Sequence, residues 1–314
     1  MIQPATHTES LVGAVGNTPL VRLINIVPPG CAAIYVKLEY VNPTGSYKDR
    51  MALAIIEEAE KRGTLKPGMT VVECTAGSTG SSLAFVCAVK GYRFRVVSSD
   101  AFAREKLQSM RLMGAELELI PSEGGKITPD LIPRMIERAT EIGSQPDAYW
   151  TQQFQNTDAL AGYGQMGREI LAQLNKPITA FCGAVGTAGM LMGVAQELKQ
   201  ANPATRVVVL EPASSPIISQ GRKGSHTVDG VSVGFVPPML TPEGYDEVRT
   251  VEEARAREMA RLLAAREGIL AGTSSGLNVA AAIDLGLELG PDQVVVTVAC
   301  DSGLKYLASG LFDG

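Results

Sequence analysis

VVECTAGSTGSSLAFVCAVKGYRFRVVSS, residues 71–99, holds one complete strand–turn–helix–strand unit. The β-branched run VVECT (71–75) enters a turn made of glycine and small hydroxyl residues. SSLAFVCAVK (81–90) then carries its apolar residues at helical spacing, Gly91 stands where a helix C-cap would, and FRVVS (94–98) reads as the next strand. Outward from this unit the alternation continues. REKLQSMRLM (104–113) is helical and stops at Gly114, and ELELI (116–120) alternates as a strand does. ITAFC (178–182), TRVVVLE (205–211) and QVVVTVAC (293–300) are apolar strands with helical stretches between them. Strands alternating with helices of about ten residues or more predict an α/β fold of doubly wound, mostly parallel sheets. Two blocks are expected: a smaller N-terminal domain over 44–150, and a larger one over 151–314 with part of 1–43 packing on it. The Gly and Pro content of IPSEGGKITPDLIP (120–133) predicts a loop.

Composition removes several classes of function. With 45% hydrophobic and 19% charged residues in 314, the chain has enough apolar material for a core and is not a disordered one. A net charge of −5 with no Lys/Arg-rich run speaks against nucleic acid or an anionic membrane as partner. No apolar run approaches the roughly 18 residues of a membrane span, and MIQPATHTES lacks the basic and apolar parts of a signal peptide, so the cytoplasm is expected. Cys31, Cys74, Cys87, Cys182 and Cys300 are odd in number and widely spaced. They suggest buried thiols rather than a disulfide framework or a zinc knuckle. His7 and His226 have no motif around them, so neither a Ser–His–Asp hydrolase nor a metal site is expected.

In sheets of this kind ligands bind beyond the carboxyl ends of the strands, where loops enter helices. Four segments have such loops. In NPTGSYKDRMALAIIEEAEKRG (42–63), Met51, Ala52, Ile55, Ile56 and Ala59 mark a helix over 49–62, so Lys48 lies at or just before its first turn. A positive helix end and desolvation both disfavour an ammonium there, which suits Schiff-base chemistry. A solvated surface lysine is the other reading. ECTAGSTGSSLA (73–84) is either an anion-receiving turn or a plain strand-to-helix turn with a Ser or Thr cap. FCGAVGTAGMLMG (181–193) reads as a phosphate cradle, although its glycines fit neither the dinucleotide fingerprint nor a P-loop. In GILAGTSSGLN (268–278), Ser274 and Ser275 open a helix, where a hydroxyl serves a ring nitrogen or a cap.

Taken together these segments resemble the cysteine synthase and cystathionine β-synthase family of fold-type II pyridoxal-phosphate enzymes. The resemblance opens with GNTPLVRL (16–23) and KLEYVNPTGSYKDR (37–50), and continues through VVECTAGSTGSSLAF (71–85), MRLMGAEL (110–117) and QF (153–154). It closes with GAVGTAGM (183–190), EP (211–212), GTSSG (272–276) and DSGLKYL (301–307). It implies a tryptophan synthase β-like fold, with pyridoxal 5′-phosphate in the cleft between two domains, and a homodimer. Lys48 would hold the cofactor as a Schiff base and serve as general base. Gly183, Ala184, Val185, Gly186 and Thr187 would hold its phosphate, Ser274 would face the pyridine nitrogen, and Ser78 would lie toward its 3′-oxygen. Thr75, Ala76, Ser78, Thr79 and Gln153 would receive the substrate carboxylate. A neutral hydroxyl at the ring nitrogen makes a weaker electron sink than a carboxylate partner does, which favours β-elimination over transamination.

Three positions depart from the family. TAGSTG stands where Thr-Ser-Gly-Asn-Thr-Gly is usual, so Ser78 replaces an asparagine and Ala76 removes a hydroxyl. Val185 replaces a glycine, a change that a negative φ tolerates. The function implied is β-replacement on an activated serine such as O-acetylserine, with sulfide or another small nucleophile as acceptor. Two alternatives stay open from sequence: a serine or threonine dehydratase, and a cofactor-binding protein turned to regulation.

Overall fold

The computed structural model describes residues 7–75, 77–126, 128 and 130–312. Its strands are β1 (Leu20–Arg22), β2 (Ala33–Leu38), β3 (Thr70–Cys74), β4 (Arg93–Ser99), β5 (Glu116–Ile120), β6 (Ala148–Trp150), β7 (Ala180–Ala184), β8 (Arg206–Pro212), β9 (Glu247–Val251) and β10 (Val294–Ala299). The helices are α1 (Lys48–Arg62), α2 (Ser78–Lys90), α3 (Arg104–Leu112), α4 (Leu131–Gly143) and α5 (Asp158–Gln173). They continue with α6 (Gly189–Ala201), α7 (Ile217–Gln220), α8 (Glu253–Leu262) and α9 (Thr273–Leu289). The fold is α/β with two sheets, one in each of two compact units. No helix among the described residues is long and apolar enough to cross a membrane.

The first unit takes the chain up to Asn17, Asn42–Thr44 and Lys48–Thr151. Its sheet has the order β5-β4-β3-β6, and every pairing is parallel. Neighbouring strand residues point to opposite faces, and both faces are covered at the middle of the sheet, which is why β3 and β4 carry consecutive buried valines, whereas edge strand β5 alternates. Val71, Phe94 and Val96 pack with Ile56 of α1 and Leu83 and Val86 of α2. Val72 and Val97 pack on the other face against Leu131, Met135, Ala139 and Ile142 of α4. Those four residues recur at helical spacing along one side of α4.

Two boundaries differ from the sequence expectation. The loop expected over 120–133 ends by Asp130, and Leu131–Pro133 form the first turn of α4. Proline fits there because its missing N–H has no intrahelical acceptor in a first turn. Ile127 and Pro129 of that loop lie outside the described residues. α2 starts at Ser78 rather than at Ser81. Ser78, Thr79 and Gly80 carry no apolar signal, so periodicity cannot find that turn.

The second unit comprises Thr18–Val41, Gly45–Tyr47 and the chain from Gln152 onward. Its six-stranded sheet runs β1-β2-β10-β7-β8-β9, parallel except for β1 on the edge, which is antiparallel to β2. α9 is buried almost all round, with Leu277, Val279, Ala280, Ala282 and Leu285 inaccessible to solvent. A helix buried on every side keeps no polar stripe, so its pattern in sequence is weak. β2 carries one charge into this interior. Lys37 is fully buried, and its Nζ donates to Thr18 O (2.6 Å) and Gln173 Oε1 (2.9 Å) and pairs with Glu169 Oε2 at 2.7 Å.

Candidate active site

In the first unit, Lys48 is the first residue of α1, and only 6% of it is exposed. The turn before it is tied down locally. Asp49 in the helix's first turn accepts from Thr44 N–H (2.7 Å) and Thr44 Oγ1 (2.6 Å), and Asn42 Oδ1 accepts from Gly16 N–H (2.8 Å). Burial at a helix start answers the question left open in sequence: Lys48 is not a solvated surface lysine.

The residues between Thr44 and Lys48 belong to the second unit. Gly45 has φ +71°, a left-handed conformation that a side chain would strain, and a Cβ there would also press on Ser302 Cβ at 3.2 Å. Ser46 Oγ donates to Asp301 Oδ1 (2.6 Å), and Tyr47 N–H donates to Cys300 O (3.0 Å). Burial pushes the Tyr47 phenol well above its ordinary pKa, with Cys300, Tyr163 and Asp301 adding to it, so it stays a neutral hydroxyl.

Thr75 and Thr79 of the small-residue turn are buried, and Ser78 is half-buried at the start of α2. Thr75 N–H donates to Val97 O (3.1 Å), and Thr75 Oγ1 accepts from Gly77 N–H (3.3 Å). Gly77 is the N-cap of α2, so no Ser or Thr side chain caps this helix. A Cβ on Gly80 would meet Met110 Sδ at 2.5 Å and Thr75 Cγ2 at 2.8 Å, so a side chain there would have to push the Met110 side chain and Thr75 aside. Ala76, expected at the substrate carboxylate, lies outside the described residues.

In the second unit, Gly183, Ala184, Val185, Gly186 and Thr187 are all buried and span the end of β7 and the turn into α6. Val185 does not take a positive φ, so its branched side chain is accommodated where the family has glycine. Its N–H donates to Leu210 O (3.1 Å). Ala188, the N-cap of α6, sits at φ +67°. The amides of Gly186, Thr187 and Ala188 donate to no protein acceptor among the described residues. Three unclaimed donors in a row at a helix N-terminus suit an anion of phosphate size.

Ser274 and Ser275 are distinguished by what they touch. Ser275 Oγ accepts from Cys300 N–H (2.9 Å), whereas Ser274 Oγ has no hydrogen-bond partner among the described residues. Gly272 is the N-cap of α9, so the capping role left open for Ser274 falls away. Gln153 is buried and follows Gln152, which has φ +50°.

One loop went unread in sequence. Ser232 N–H donates to Val185 O (2.9 Å), and a Cβ on Gly186 would sit 2.1 Å from Gly230 O, so residues 228–235 lie directly on the phosphate-type loop. Ser232, at φ +45°, donates from Oγ to Ser215 O (2.9 Å), and His226 Nε2 lies 3.1 Å from Ser232 O. Phe235 meets Phe154, beside Gln153, edge-on at 5.2 Å between ring centroids. The only signal for it in sequence was the run of small residues in DGVSVG ahead of two prolines.

Burial pushes the thiols of Cys74, Cys87 and Cys182 up to about 12, so none of the three is a ready nucleophile. No group of His, Cys, Asp and Glu side chains that could hold a metal ion occurs among the described residues.

Comparison with known proteins gives the family and the fold. A family model described as pyridoxal-phosphate dependent enzyme matches residues 11–301. A cysteine synthase of Staphylococcus aureus is 41% identical over 306 residues, covering 97% of both chains. The solved structure of an O-ureido-L-serine synthase superposes with a TM-score of 0.90 at 38% identity, covering 98% of this chain and 96% of that one. A cysteine synthase structure from Entamoeba histolytica gives a TM-score of 0.93 at 30% identity, over 99% of this chain and 93% of that one.

Proposed function

The chain belongs to the pyridoxal-phosphate dependent enzymes, among the cysteine synthases, and we propose that it replaces the β-substituent of an activated serine with a small nucleophile. The observation that carries the cofactor half of this reading is the run of three unclaimed amides at Gly186, Thr187 and Ala188. They supply the fixed N–H donors that a 5′-phosphate needs, at the positive end of α6. When bound, pyridoxal phosphate supplies the electron sink that lets a β-leaving group depart and a nucleophile take its place.

Each residue then has a definite task in the reading. In the loop from Gly183 to Thr187, the main-chain N–H groups of Gly186 and Thr187, with that of Ala188, and the Thr187 hydroxyl hold the phosphate. Gly183, Ala184 and Val185 carry them, the Ala184 and Val185 amides being taken up by Asn278 and Leu210. Lys48 carries the cofactor and moves the substrate α-proton at Nζ; its burial keeps water away from that amine. Ser274 offers the pyridine nitrogen a neutral hydroxyl. Thr75, Thr79 and Gln153 orient the substrate carboxylate. Ser78 would serve the ring's 3′-oxygen, with a shorter reach than the asparagine it replaces.

O-acetylserine as donor and sulfide as acceptor are supported by the 41% identity to a cysteine synthase. The 38% likeness to an O-ureido-L-serine synthase supports a second acceptor class. A ureido group joined to serine through oxygen implies hydroxyurea as the attacking molecule. Kinship with cysteine synthases also supports a cytoplasmic homodimer, for which sedimentation should give twice the chain mass.

The test is to record the visible spectrum of purified holoenzyme, add O-acetyl-L-serine, then add sulfide or hydroxyurea in parallel. The donor should change the cofactor's absorption. The true acceptor should restore it, with release of cysteine or O-ureidoserine. A spectrum that O-acetylserine leaves unchanged would remove the donor assignment, and the altered turn at Ala76 and Ser78 is where a different donor would be read.

A further inference from the structure

β7 and β10 pair in parallel only at Ala180↔Val295 and Phe181↔Val296. Both strands continue beyond that point, β7 to Ala184 and β10 to Ala299, so they fork. Past the fork, main-chain groups that a sheet would have paired must find other partners. Two side chains supply them. Thr297 Oγ1 donates to Cys182 O (2.8 Å). Asn278 of α9, fully buried, accepts at Oδ1 from Ala184 N–H (2.8 Å) and donates from Nδ2 to Val298 O (2.9 Å). Nδ2 also lies 3.5 Å from Cys300 Sγ. A carboxamide has the donor and acceptor of a peptide unit, so Asn278 stands in the fork as an inserted peptide would.

Its place on α9 gives this bridge a consequence. Asn278 is one helical turn beyond Ser274 on the same face. Ser275 Oγ, accepting from Cys300 N–H, pins the same helix to the end of β10. Ala184, which Asn278 holds, is in the loop whose next amides are the unclaimed ones at Gly186 to Ala188. We propose that Asn278 is a positioning residue: its carboxamide sets the width of the β7–β10 fork and thereby fixes the Gly183–Thr187 loop relative to the turn of α9 that carries Ser274. The proposal rests on the reading of that loop as the cofactor's phosphate site.

The chemistry of the position is demanding. Ala184 N–H requires an acceptor and Val298 O requires a donor, both out of reach of water. Aspartate keeps the shape and the acceptor but turns a second oxygen toward the Val298 carbonyl. Alanine leaves the Ala184 N–H without its acceptor and the Val298 carbonyl with only the weak Cys300 thiol donor at 3.8 Å.

The test compares wild type, Asn278→Asp and Asn278→Ala, each first freed of cofactor. Thermal unfolding of the cofactor-free proteins measures the purely structural part. Pyridoxal phosphate affinity and the ³¹P resonance of the bound phosphate measure the positioning part. Both variants should bind the cofactor about tenfold more weakly or worse, the equivalent of one net buried hydrogen bond, with a displaced phosphate resonance. Unchanged affinity and resonance in a variant whose cofactor-free form merely melts earlier would overturn the proposal.

Hydrogen exchange on the cofactor-free wild type decides the matter even where the variants do not fold. The Ala184 amide should be protected while those of Gly186, Thr187 and Ala188 exchange quickly, and a fast Ala184 would overturn the proposal. Wild type that takes up no pyridoxal phosphate would instead overturn the functional reading, leaving the exchange result to judge the fork.

Discussion

Ser274 and Ser275 sit side by side at the start of α9, and the structure gives them opposite duties. Ser275 satisfies the buried Cys300 N–H, so Ser275→Ala should lower stability by about 1–3 kcal/mol in denaturant unfolding. Ser274 Oγ bonds nothing in the protein among the described residues. Ser274→Ala should therefore unfold within about 0.5 kcal/mol of wild type while altering the cofactor's spectrum and turnover. Equal stability losses in the two variants would contradict the assignment. Gly186 is constrained by its neighbour across the loops. A methyl there would stand 2.1 Å from Gly230 O, so one of the two loops must move. Gly186→Ala should cost about 1–3 kcal/mol in unfolding and weaken pyridoxal phosphate binding severalfold in a titration. The serine pair was legible in sequence as a helix start, but which hydroxyl was spoken for was not, because Cys300 reaches it from another strand. The Gly186 constraint was equally hidden, since Gly230 O approaches from a loop without a motif.

Among the elements, those with a run or a repeat of apolar residues were readable: β3, β4, β5, β7, β8 and β10, and α1, α2 and α3. β6 is three residues long and β1 is a short edge strand, too brief for any period to register. β2 was hidden for a different reason. It carries Lys37 fully buried, a charge that no sequence rule would place inside a sheet. The structure supplies its partners from α5, where Glu169 and Gln173 stand one helical turn apart, and from Thr18 O. Removing one side of a buried ion pair leaves the other charge in a poor solvent. Glu169→Ala should thus destabilise the protein by about 3 kcal/mol in denaturant melts, and Glu169→Gln, which keeps a hydrogen-bonding group, by less. A loss below about 0.5 kcal/mol for the alanine variant would show that Lys37 is held adequately by the two neutral acceptors.

For the whole molecule, the α/β class followed from the alternation of strands and helices, and the loops at the carboxyl ends of strands pointed to a ligand site. Long-range assembly was beyond such reasoning. β2 lies against β10 from the far end of the chain, and Gly45–Tyr47 fold with the second unit although Lys48 belongs to the first. A three-residue excursion of that kind has no pattern in sequence, since it depends on Asp301 and Cys300 receiving Ser46 and Tyr47. The fork between β7 and β10 is likewise visible only once both strands are in place.

The proposed chemistry depends on Lys48 carrying the cofactor, and borohydride reduction of the holoenzyme followed by peptide mapping puts that to the test. The expected result is a phosphopyridoxyl group fixed on Lys48, with its loss in Lys48→Ala together with the visible absorption and all β-replacement. Label on a different lysine, or a Lys48→Ala protein that stays yellow and active, would remove Lys48 from this role.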